Sequence, residues 1–344
     1  MATVAVDANG ADLGPREVAE GAMLAAREGV RVLLFGPADR IGEVTDGVTV
    51  VDAPVSIAKS PEPASAARST PDASIVRAAR AVADCDADAL VSAGSTGAAL
   101  AAGLFNIKRA KGVHRPALAL ALPMPEHPVT LLDVGANADV RPDHLVQFAF
   151  MGAALVTMRQ GIARPRVALL SNGEEPSRGN ELVLETHRLL AERAANSFAL
   201  EFVGNVEGTQ LALGAADVIV ADGFTGNVAL KLIEGISQRL MTVIRDRASS
   251  STRGRIGGIL LRPSLRGLRD ELDPEGPGGA YLLGLRKLGV VPHGRFTRVG
   301  FANAIRAAAQ GIDEDVVGRT LAAMDAAGAL RRPPSDSVAT VADR

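Results

Sequence analysis

The chain has 344 residues, of which 47% are hydrophobic, and a formal net charge of −2. It is long enough for one large domain or two smaller ones with a sizeable core. The balanced charge points to no nucleic-acid partner, and no basic run is interleaved with aromatic residues. The single cysteine, Cys85, excludes an intrachain disulfide and a cysteine metal cluster, which fits a cytoplasmic protein.

Short apolar runs alternate with helical patterns along the chain. The first run, Thr3–Asp7, lies directly at the amino terminus, so we expect no secretory signal. Further predicted strands are residues 30–35, 48–51, 87–91, 117–122, 129–134, 166–170, 199–203 and 217–221. This alternation predicts an α/β fold with a largely parallel sheet and helices on both faces. The uncharged stretch 89–107 approaches the length of a membrane span, but its serines and glycines favour a strand, a loop and a buried helix.

A serine- and glycine-rich loop follows the strand at 87–91 and leads into an alanine-rich helix that reaches about Ile107. The hydroxyls of Ser92, Ser95 and Thr96 can donate hydrogen bonds to an oxyanion, or they can only cap the helix. The sequence leaves both interpretations open at this point.

A second glycine-rich loop follows the strand at 217–221. Gly223 and Gly226 permit a tight turn, and the amides of a first helical turn lack intrahelical partners and can donate to phosphate. If the helix starts near Asn227, then Asn227 and Lys231 lie on one face near its positive end. Ligands of open α/β sheets bind outside the carboxyl ends of the strands, so we expect both loops at that edge, facing one ligand.

Three more polar segments separate the two loops, at residues 133–139, 171–181 and 204–208. Four asparagines are predicted in strand-end loops: Asn137, Asn180, Asn205 and Asn227. Turn formation is the simpler explanation for each one, although four together favour a binding role. The fingerprints G-x-G-x-x-G and G-x-x-x-x-G-K-[ST] are absent, which argues against dehydrogenases and kinases.

Three aspartates, Asp7, Asp133 and Asp222, lie at or near predicted strand ends. We interpret them as caps of the adjacent loops, because an unpaired carboxylate repels phosphate. We therefore expect neither a metal site nor a cofactor.

Taken together, these residues resemble the acyl-acyl carrier protein:phosphate acyltransferases of bacterial phospholipid synthesis, the PlsX family. The matching stretches are Asp7-Ala8 with Gly10, Asp12 and Pro15, Ser92–Gly94, Thr96–Ala98, Leu132–Asn137, Pro142–Phe148, Gly173–Glu175, Gly179–Leu182, Gly204–Gly208, Asp222–Lys231, Gly278–Ala280, Leu282–Gly284 and His293-Gly294. The resemblance covers about residues 3–325.

The resemblance implies transfer of a fatty acyl group from acyl carrier protein to inorganic phosphate. The product, an acyl phosphate, would pass to a membrane glycerol-3-phosphate acyltransferase. It also implies a three-layer α/β/α sandwich similar to phosphotransacetylases and isocitrate dehydrogenases, and a homodimer. We expect one domain at residues 1–330 and a disordered tail at 331–344.

Several positions depart from the family pattern. Ser95 stands where the family usually has asparagine, and Thr70–Ser74 replaces a Lys-Lys-x-Ser-Ser run. Asn9, Ala11 and Thr209 are further departures. Two alternatives therefore stay open: an acyl-coenzyme A-using phosphotransacetylase or phosphate butyryltransferase, and a non-catalytic acyl- or phosphate-binding paralogue at the membrane.

The resemblance and the residue types imply the following roles. Lys231 supplies charge to the phosphate, and Asn180 and Asn227 donate to the oxyanion. His144 is a proton donor or a hydrogen-bonding residue at a helix start, and His293 is a second such histidine. The predicted substrate-binding residues are Ser92, Ser95, Thr96, Gly223, Thr225, Gly226, Asn137 and Asn205.

A basic amphipathic segment is predicted at about residues 250–275, with its helix starting near Pro263. Its apolar stripe is Leu261, Leu265, Leu268 and Leu272. Its basic stripe is Arg262, Arg266 and Arg269, and Arg253 and Arg255 extend the charge. Such a surface can bind the acidic carrier protein or an anionic bilayer, or it can pack on the core with a solvated arginine edge. A cytoplasmic protein with peripheral membrane contact is the resulting expectation.

Overall fold

The computed structural model describes residues 1–122, 124, 127–271 and 273–331, apart from the side chains of residues 264, 265 and 268–270. The predicted tail therefore lies outside the described residues except for Arg331. The strands of the described part are β1 (Thr3–Asp7), β2 (Arg31–Gly36), β3 (Val48–Asp52), β4 (Ala89–Ser92), β5 (Ala117–Leu122), β6 (Val129–Leu132), β7 (Arg166–Leu170), β8 (Glu201–Val206), β9 (Val218–Val220), β10 (Ala280–Leu283) and β11 (Leu288–Val291).

The helices connect and cover these strands. They are α1 (Pro15–Ala26), α2 (Ala38–Ile41), α3 (Pro63–Ser69), α4 (Ser74–Ala83), α5 (Thr96–Ala102), α6 (Pro142–Gln160), α7 (Glu181–Ala195), α8 (Gly223–Ser249), α9 (Thr252–Glu271), α10 (Arg298–Asp313) and α11 (Val316–Ala326). A π-helical turn, Gly103–Ile107, continues α5, and a 3₁₀ helix, Gly208–Leu213, follows β8.

All these strands belong to one sheet in the order β3-β2-β1-β4-β11-β10-β5-β6-β9-β7-β8. Pairing is parallel within the two outer groups and antiparallel at β11–β10, β10–β5 and β5–β6. The predicted α/β fold with a largely parallel sheet is confirmed. Because three antiparallel pairings separate β4 from β9, these two strands run in opposite directions. The expectation that both glycine-rich loops leave the same edge of the sheet is therefore wrong.

The helices form a layer on each face of the sheet, and alternate residues of β5 enter different cores. Ala117 and Ala119 pack in the core beneath α1, α6, α7, α10 and α11, which contains Phe148 and Phe301. Leu118 and Leu122 belong to the opposite core, which is covered by α4, α5 and the first part of α8. The molecule is thus a three-layer α/β/α arrangement.

Helices α8 and α9 pack against each other and carry exposed apolar side chains. Leu232, Ile236 and Leu261 are 61%, 59% and 57% exposed. Pro263 lies inside α9 rather than at its start, because the helix already begins at Thr252. Of the predicted stripes, Leu272 lies outside the described residues, and Leu265, Leu268 and Arg269 lie outside the described side chains. Arg262 and Arg266 are exposed. Among the described residues, no helix has the length and apolarity needed to span a membrane.

Candidate active site

A cleft of about 480 Å³ lies on one face of the sheet, between the start of α5 and helix α8. Its floor comes from the central strands. Leu118, Leu120 and Leu122 are alternate residues of β5 and so point to the same face, next to Ala280 of β10 and Val291 of β11. The floor of the cleft is therefore apolar.

One wall of the cleft is the loop between β4 and α5. Ser95 caps α5, since its hydroxyl accepts a hydrogen bond from the amide of Ala98 at 3.3 Å. Ser95 and Thr96 both line the cleft together with Gly94. Gly10 brings the β1 loop against this wall: it has a φ of 94°, and a Cβ there would lie 2.6 Å from Gly94 Cα.

Below this wall lies Asp7, a buried carboxylate at the end of β1. Its Oδ1 accepts from the Ser74 hydroxyl at 2.5 Å, and its Oδ2 accepts from the Ser92 hydroxyl at 2.9 Å. Ser92 in turn accepts from the Gly94 amide at 3.2 Å. Burial raises the pKa of Asp7 to about 6, although these hydrogen bonds lower it. Ser92 is thus engaged beneath the loop and does not line the cleft.

The opposite wall is helix α8. This helix begins at Gly223, four residues earlier than the expected start near Asn227, and Asp222 caps it by accepting from the Thr225 amide at 2.8 Å. The Gly223 amide donates to Asn137 O at 2.7 Å, so two amides of the first turn already have acceptors.

Gly226 permits the close approach of α8 to the loop after β6, because a Cβ there would lie 2.0 Å from Asp133 O. Gly223, Thr225 and Gly226 do not line the cleft among the residues described. Their role in this structure is to place α8.

Two predicted residues of α8, Asn227 and Lys231, do line the cleft. The Lys231 ammonium lies 3.0 Å from Glu234 Oε2, and the guanidinium of Arg295 lies 2.9 Å from the same oxygen. His293 lines the cleft as well, and its Nδ1 accepts from the Arg295 amide at 3.3 Å. Burial lowers the pKa of His293, and the nearby charges of Lys231 and Arg295 lower it further. A neutral His293 therefore carries its proton on Nε2.

Sequence reasoning missed two charged residues that line the cleft, Glu234 and Lys59, and also Arg295, which contacts Glu234. Glu234 joins Lys231 to Arg295, although the two cations are 64 residues apart in the sequence. The i,i+3 spacing of Lys231 and Glu234 on a helix was the available signal for that pair. No spacing rule links either residue to Arg295.

Four predicted site residues lie in structural roles away from the cleft. Asn180 caps α7 by accepting from the Val183 amide at 3.0 Å. Asn137 is buried and donates to Asp133 Oδ2 and Pro116 O.

Asn205 lies inside β8, not in a loop after a strand, because β8 extends to Val206. It donates to Glu175 O at 3.0 Å. His144 Nδ1 accepts from the Arg141 amide at 3.2 Å at the start of α6, and burial lowers its pKa. None of these four residues lines the cleft within the described part of the chain.

Asp133 is a second buried carboxylate, placed where β6 ends. It accepts from the amides of Leu118, Gly135, Ala136 and Asn137 at 2.8–3.1 Å. Burial raises its pKa, and the hydrogen bonds lower it. In the described ranges, neither Asp7 nor Asp133 forms an ion pair, and no group of three or more His, Cys, Asp or Glu residues could hold a metal ion.

Comparisons with known proteins identify the family of the chain and support its fold. The family model described as "Fatty acid synthesis protein" matches residues 2–319. The chain belongs to this family. It is 44% identical over 323 residues to the phosphate acyltransferase of Heliobacterium modesticaldum, covering 91% of this chain and 95% of that protein. It is 43% identical over 317 residues to that of Pelotomaculum thermopropionicum, covering 90% and 91%.

The predicted family and the prediction of an acyltransferase enzyme are both confirmed by these relatives. Among solved structures, a phosphotransacetylase from Streptococcus pyogenes is similar, with a TM-score of 0.60 and 17% identity over 91% of this chain and 94% of that one. At that identity the likeness shows the fold, and it confirms the expected resemblance to phosphotransacetylases.

The buried carboxyl of Asp7 predicts a pH effect on stability. Because its pKa is raised from 3.8 to about 6, its contribution to stability is fully present below pH 3.8 and is lost as the pH rises through 6. The full loss is roughly 3 kcal/mol, of which about 2 kcal/mol falls between pH 4.5 and 7.5. Asp7→Asn removes this titration.

Urea titrations at several pH values give the free energy of unfolding of Asp7→Asn and of the unaltered protein. We expect the difference, the variant minus the unaltered protein, to rise by about 2 kcal/mol as the pH increases from about 4.5 to about 7.5. Asp46→Asn, an exposed change, is the matched control and should leave the difference flat. If the free energies of unfolding of Asp7→Asn and of the unaltered protein change in parallel with pH, the raised pKa of Asp7 is contradicted.

Proposed function

We propose that this protein transfers a fatty acyl group from acyl carrier protein to inorganic phosphate and forms an acyl phosphate for phospholipid synthesis. One observation carries the proposal: an apolar floor formed by β5 lies between two walls that carry Ser95, Thr96, Asn227 and Lys231. A fatty acyl thioester and phosphate need that combination of surfaces. Family membership supports the reaction class.

Phosphate binding is proposed for the two polar walls. The hydroxyl of Thr96 and the ammonium of Lys231 are suitable donors to its oxygens. The Lys231 ammonium forms an ion pair with Glu234 Oε2 at 3.0 Å. This ion pair restricts the position of the ammonium and reduces the net positive charge of the wall. Phosphate is already anionic at neutral pH and needs little general-base assistance, so its orientation is the larger requirement.

The proposed chemical step is attack of a phosphate oxygen on the thioester carbonyl carbon. The C–O bond forms, the C–S bond breaks, and the pantetheine sulfur leaves with the electron pair of that bond and then takes up a proton. The exposed amide of Asn227 is the proposed donor to the tetrahedral oxyanion. The neutral ring of His293 can donate its Nε2 proton toward a phosphate oxygen or the departing sulfur. A free thiol has a pKa near 8.5, so a general acid adds only a modest rate gain.

The acyl chain is proposed to lie along the apolar floor over Leu118, Leu120 and Leu122. Burial of each methylene group contributes about 0.8 kcal/mol, so a long chain gains substantial binding energy there. Remote binding energy of this kind can position the carbonyl carbon against phosphate.

The exposed helices α8 and α9 are proposed to serve assembly and membrane contact. Phe224, Val228, Leu232, Ile236 and Leu240 follow one another at intervals of four residues on α8 and are all more than half exposed. Such a stripe is suited to a homodimer interface or to peripheral contact with a bilayer. Peripheral contact would allow a cytoplasmic enzyme to pass its lipophilic product to a membrane glycerol-3-phosphate acyltransferase.

Acyl phosphate trapping tests the function. The purified protein is incubated with palmitoyl-acyl carrier protein and phosphate, and acyl phosphate is trapped with hydroxylamine, with palmitoyl-coenzyme A in parallel. We expect phosphate-dependent hydroxamate from the carrier substrate. A strong excess from coenzyme A would favour a phosphotransacetylase, and no product from either donor would favour a non-catalytic binding protein.

The apolar floor predicts a change in chain-length preference. Leu120→Phe adds bulk at the centre of the floor, so we expect about a tenfold lower kcat/KM for a palmitoyl donor and little change for a butyryl donor. Leu213→Phe is the matched control, since Leu213 is 73% exposed and lies away from the cleft. An equal loss for both donors, or no loss for either, would place the acyl chain elsewhere.

A further inference from the structure

Six basic residues gather at the edge of the sheet where β5 begins and β10 ends. We call them the basic edge patch: Lys108, Arg109, Lys111, Arg115, Arg141 and Arg286. All six are exposed, and they come from three separate parts of the chain. The concentration of positive charge contrasts with the formal net charge of −2 for the whole protein.

Backbone contacts hold the patch together. Arg286 donates its amide to Lys108 O at 3.0 Å and its Nε to Arg109 O at 3.3 Å. An isolated antiparallel bridge joins Arg109 to Leu285. Arg109 also donates to Val113 O at 3.3 Å, which fixes the loop that carries the patch. The patch is therefore built into the fold and is not a chance meeting of mobile side chains.

Two histidines connect Arg141, the third part of the patch, to the loop at 108–115. The rings of His114 and His144 have centroids 5.5 Å apart, and this pair brings the loop at 108–115 to the start of α6, where Arg141 lies. Burial lowers the pKa of both histidines, and nearby arginines lower it further. The acidic group that acts on both histidines is Asp143.

Asp143 lies beside the patch, but in the described part of the chain it forms no ion pair with any of the six basic residues. Each ion pair found within the described residues lies elsewhere, for example Arg298–Glu17 and Arg306–Glu28, and none includes a patch residue. Uncompensated charges of one sign on one surface attract an oppositely charged partner and raise its association rate.

In the part of the chain that the structure describes, none of the six patch residues lines the cleft, but the patch lies at the end of the floor that begins with Leu118. Arg115 is followed after one residue by β5, whose leucines form the floor of the cleft. Lys108 follows the π-helical turn that continues α5, at the opposite end of this helix from Ser95 and Thr96. A partner on the patch is therefore next to the end of the floor.

We propose that the basic edge patch docks the acidic carrier protein that bears the acyl group as a thioester, a proposal that rests on the proposed function. The sequence offered another surface for the carrier, the stripe of Arg262, Arg266 and Arg269, for which a bilayer or core packing stayed open as alternatives. A bilayer fits the patch less well, because surfaces that bind lipid combine basic charge with exposed apolar side chains. The large exposed apolar residues of the described chain lie elsewhere, including those on α8 and α9.

Charge reversal tests this proposal. Lys111→Glu combined with Arg115→Glu should raise KM for acyl-acyl carrier protein about tenfold and flatten its dependence on salt, with kcat nearly unchanged. Turnover of a small neutral donor, an acyl-N-acetylcysteamine thioester, should stay the same. Arg31→Glu combined with Arg40→Glu, at exposed positions of β2 and α2, is the matched control and should leave both donors unaffected.

Direct binding separates this proposal from the proposed function. Labelled carrier protein is titrated with each variant and followed by fluorescence anisotropy, which requires no turnover. Weaker binding by the patch variant alone supports the docking site. Three results would overturn it: equal carrier binding by the patch variant and the unaltered protein, weaker binding by the control variant alone, or no carrier binding by the unaltered protein. A patch variant that binds the carrier normally but no longer binds anionic vesicles would overturn it as well. If the carrier binds as expected but no donor gives product, the proposed function fails and the docking site stands.

Discussion

The reversal of strand direction in the middle of the sheet is the constraint on which the rest of the structure depends. Parallel neighbours need crossover connections, and these place helices on the faces of a sheet, whereas antiparallel neighbours can be joined by short turns. Here β10 connects to β11 without a helix, and only six residues separate the end of β5 from the start of β6. The face of the central strands between α5 and α8 therefore stays open, and its alternate leucines form the floor of the cleft.

Two buried carboxylates hold the loops on either side of this opening. Asp7 accepts from two hydroxyl groups beneath the Gly94 loop, and Asp133 accepts from four amides beside the start of α8. A buried carboxylate without such donors would cost several kcal/mol, so each aspartate requires its loop to keep one conformation. Asp7 and Asp133 thus position cleft walls without lining the cleft themselves.

Most strands and the fold class could be predicted from sequence, because strands that are buried in a sheet consist of short runs of apolar residues. The two strands β10 and β11 were not predicted, since both are four residues long and glycine lies beside or within them. Strand direction is not encoded in such runs, so the two glycine-rich loops were expected at one edge when they lie at opposite edges. The start of α8 was placed late because Gly223 and Gly226 were interpreted as a loop, whereas Gly226 is needed for contact with Asp133.

The site could be predicted only in part. Ser95, Thr96, Asn227 and Lys231 were chosen by residue type at strand ends, and the structure brings them to one cleft with His293. The same reasoning also chose Asn137 and Asn205, whose amides hold loops, because an asparagine that binds a ligand and one that forms a turn look alike in sequence. The basic edge patch was missed since Arg286 is 178 residues from Lys108, and only the sheet brings them together.

A crystal structure with a bound acyl phosphonate, a stable analogue of the proposed product, is the most direct test of the central claim. The account predicts the phosphonate between the start of α5 and Lys231, with the alkyl chain over Leu118, Leu120 and Leu122. An analogue bound with its chain on the exposed stripe of α8, or with its phosphonate away from both walls of the cleft, would contradict the account.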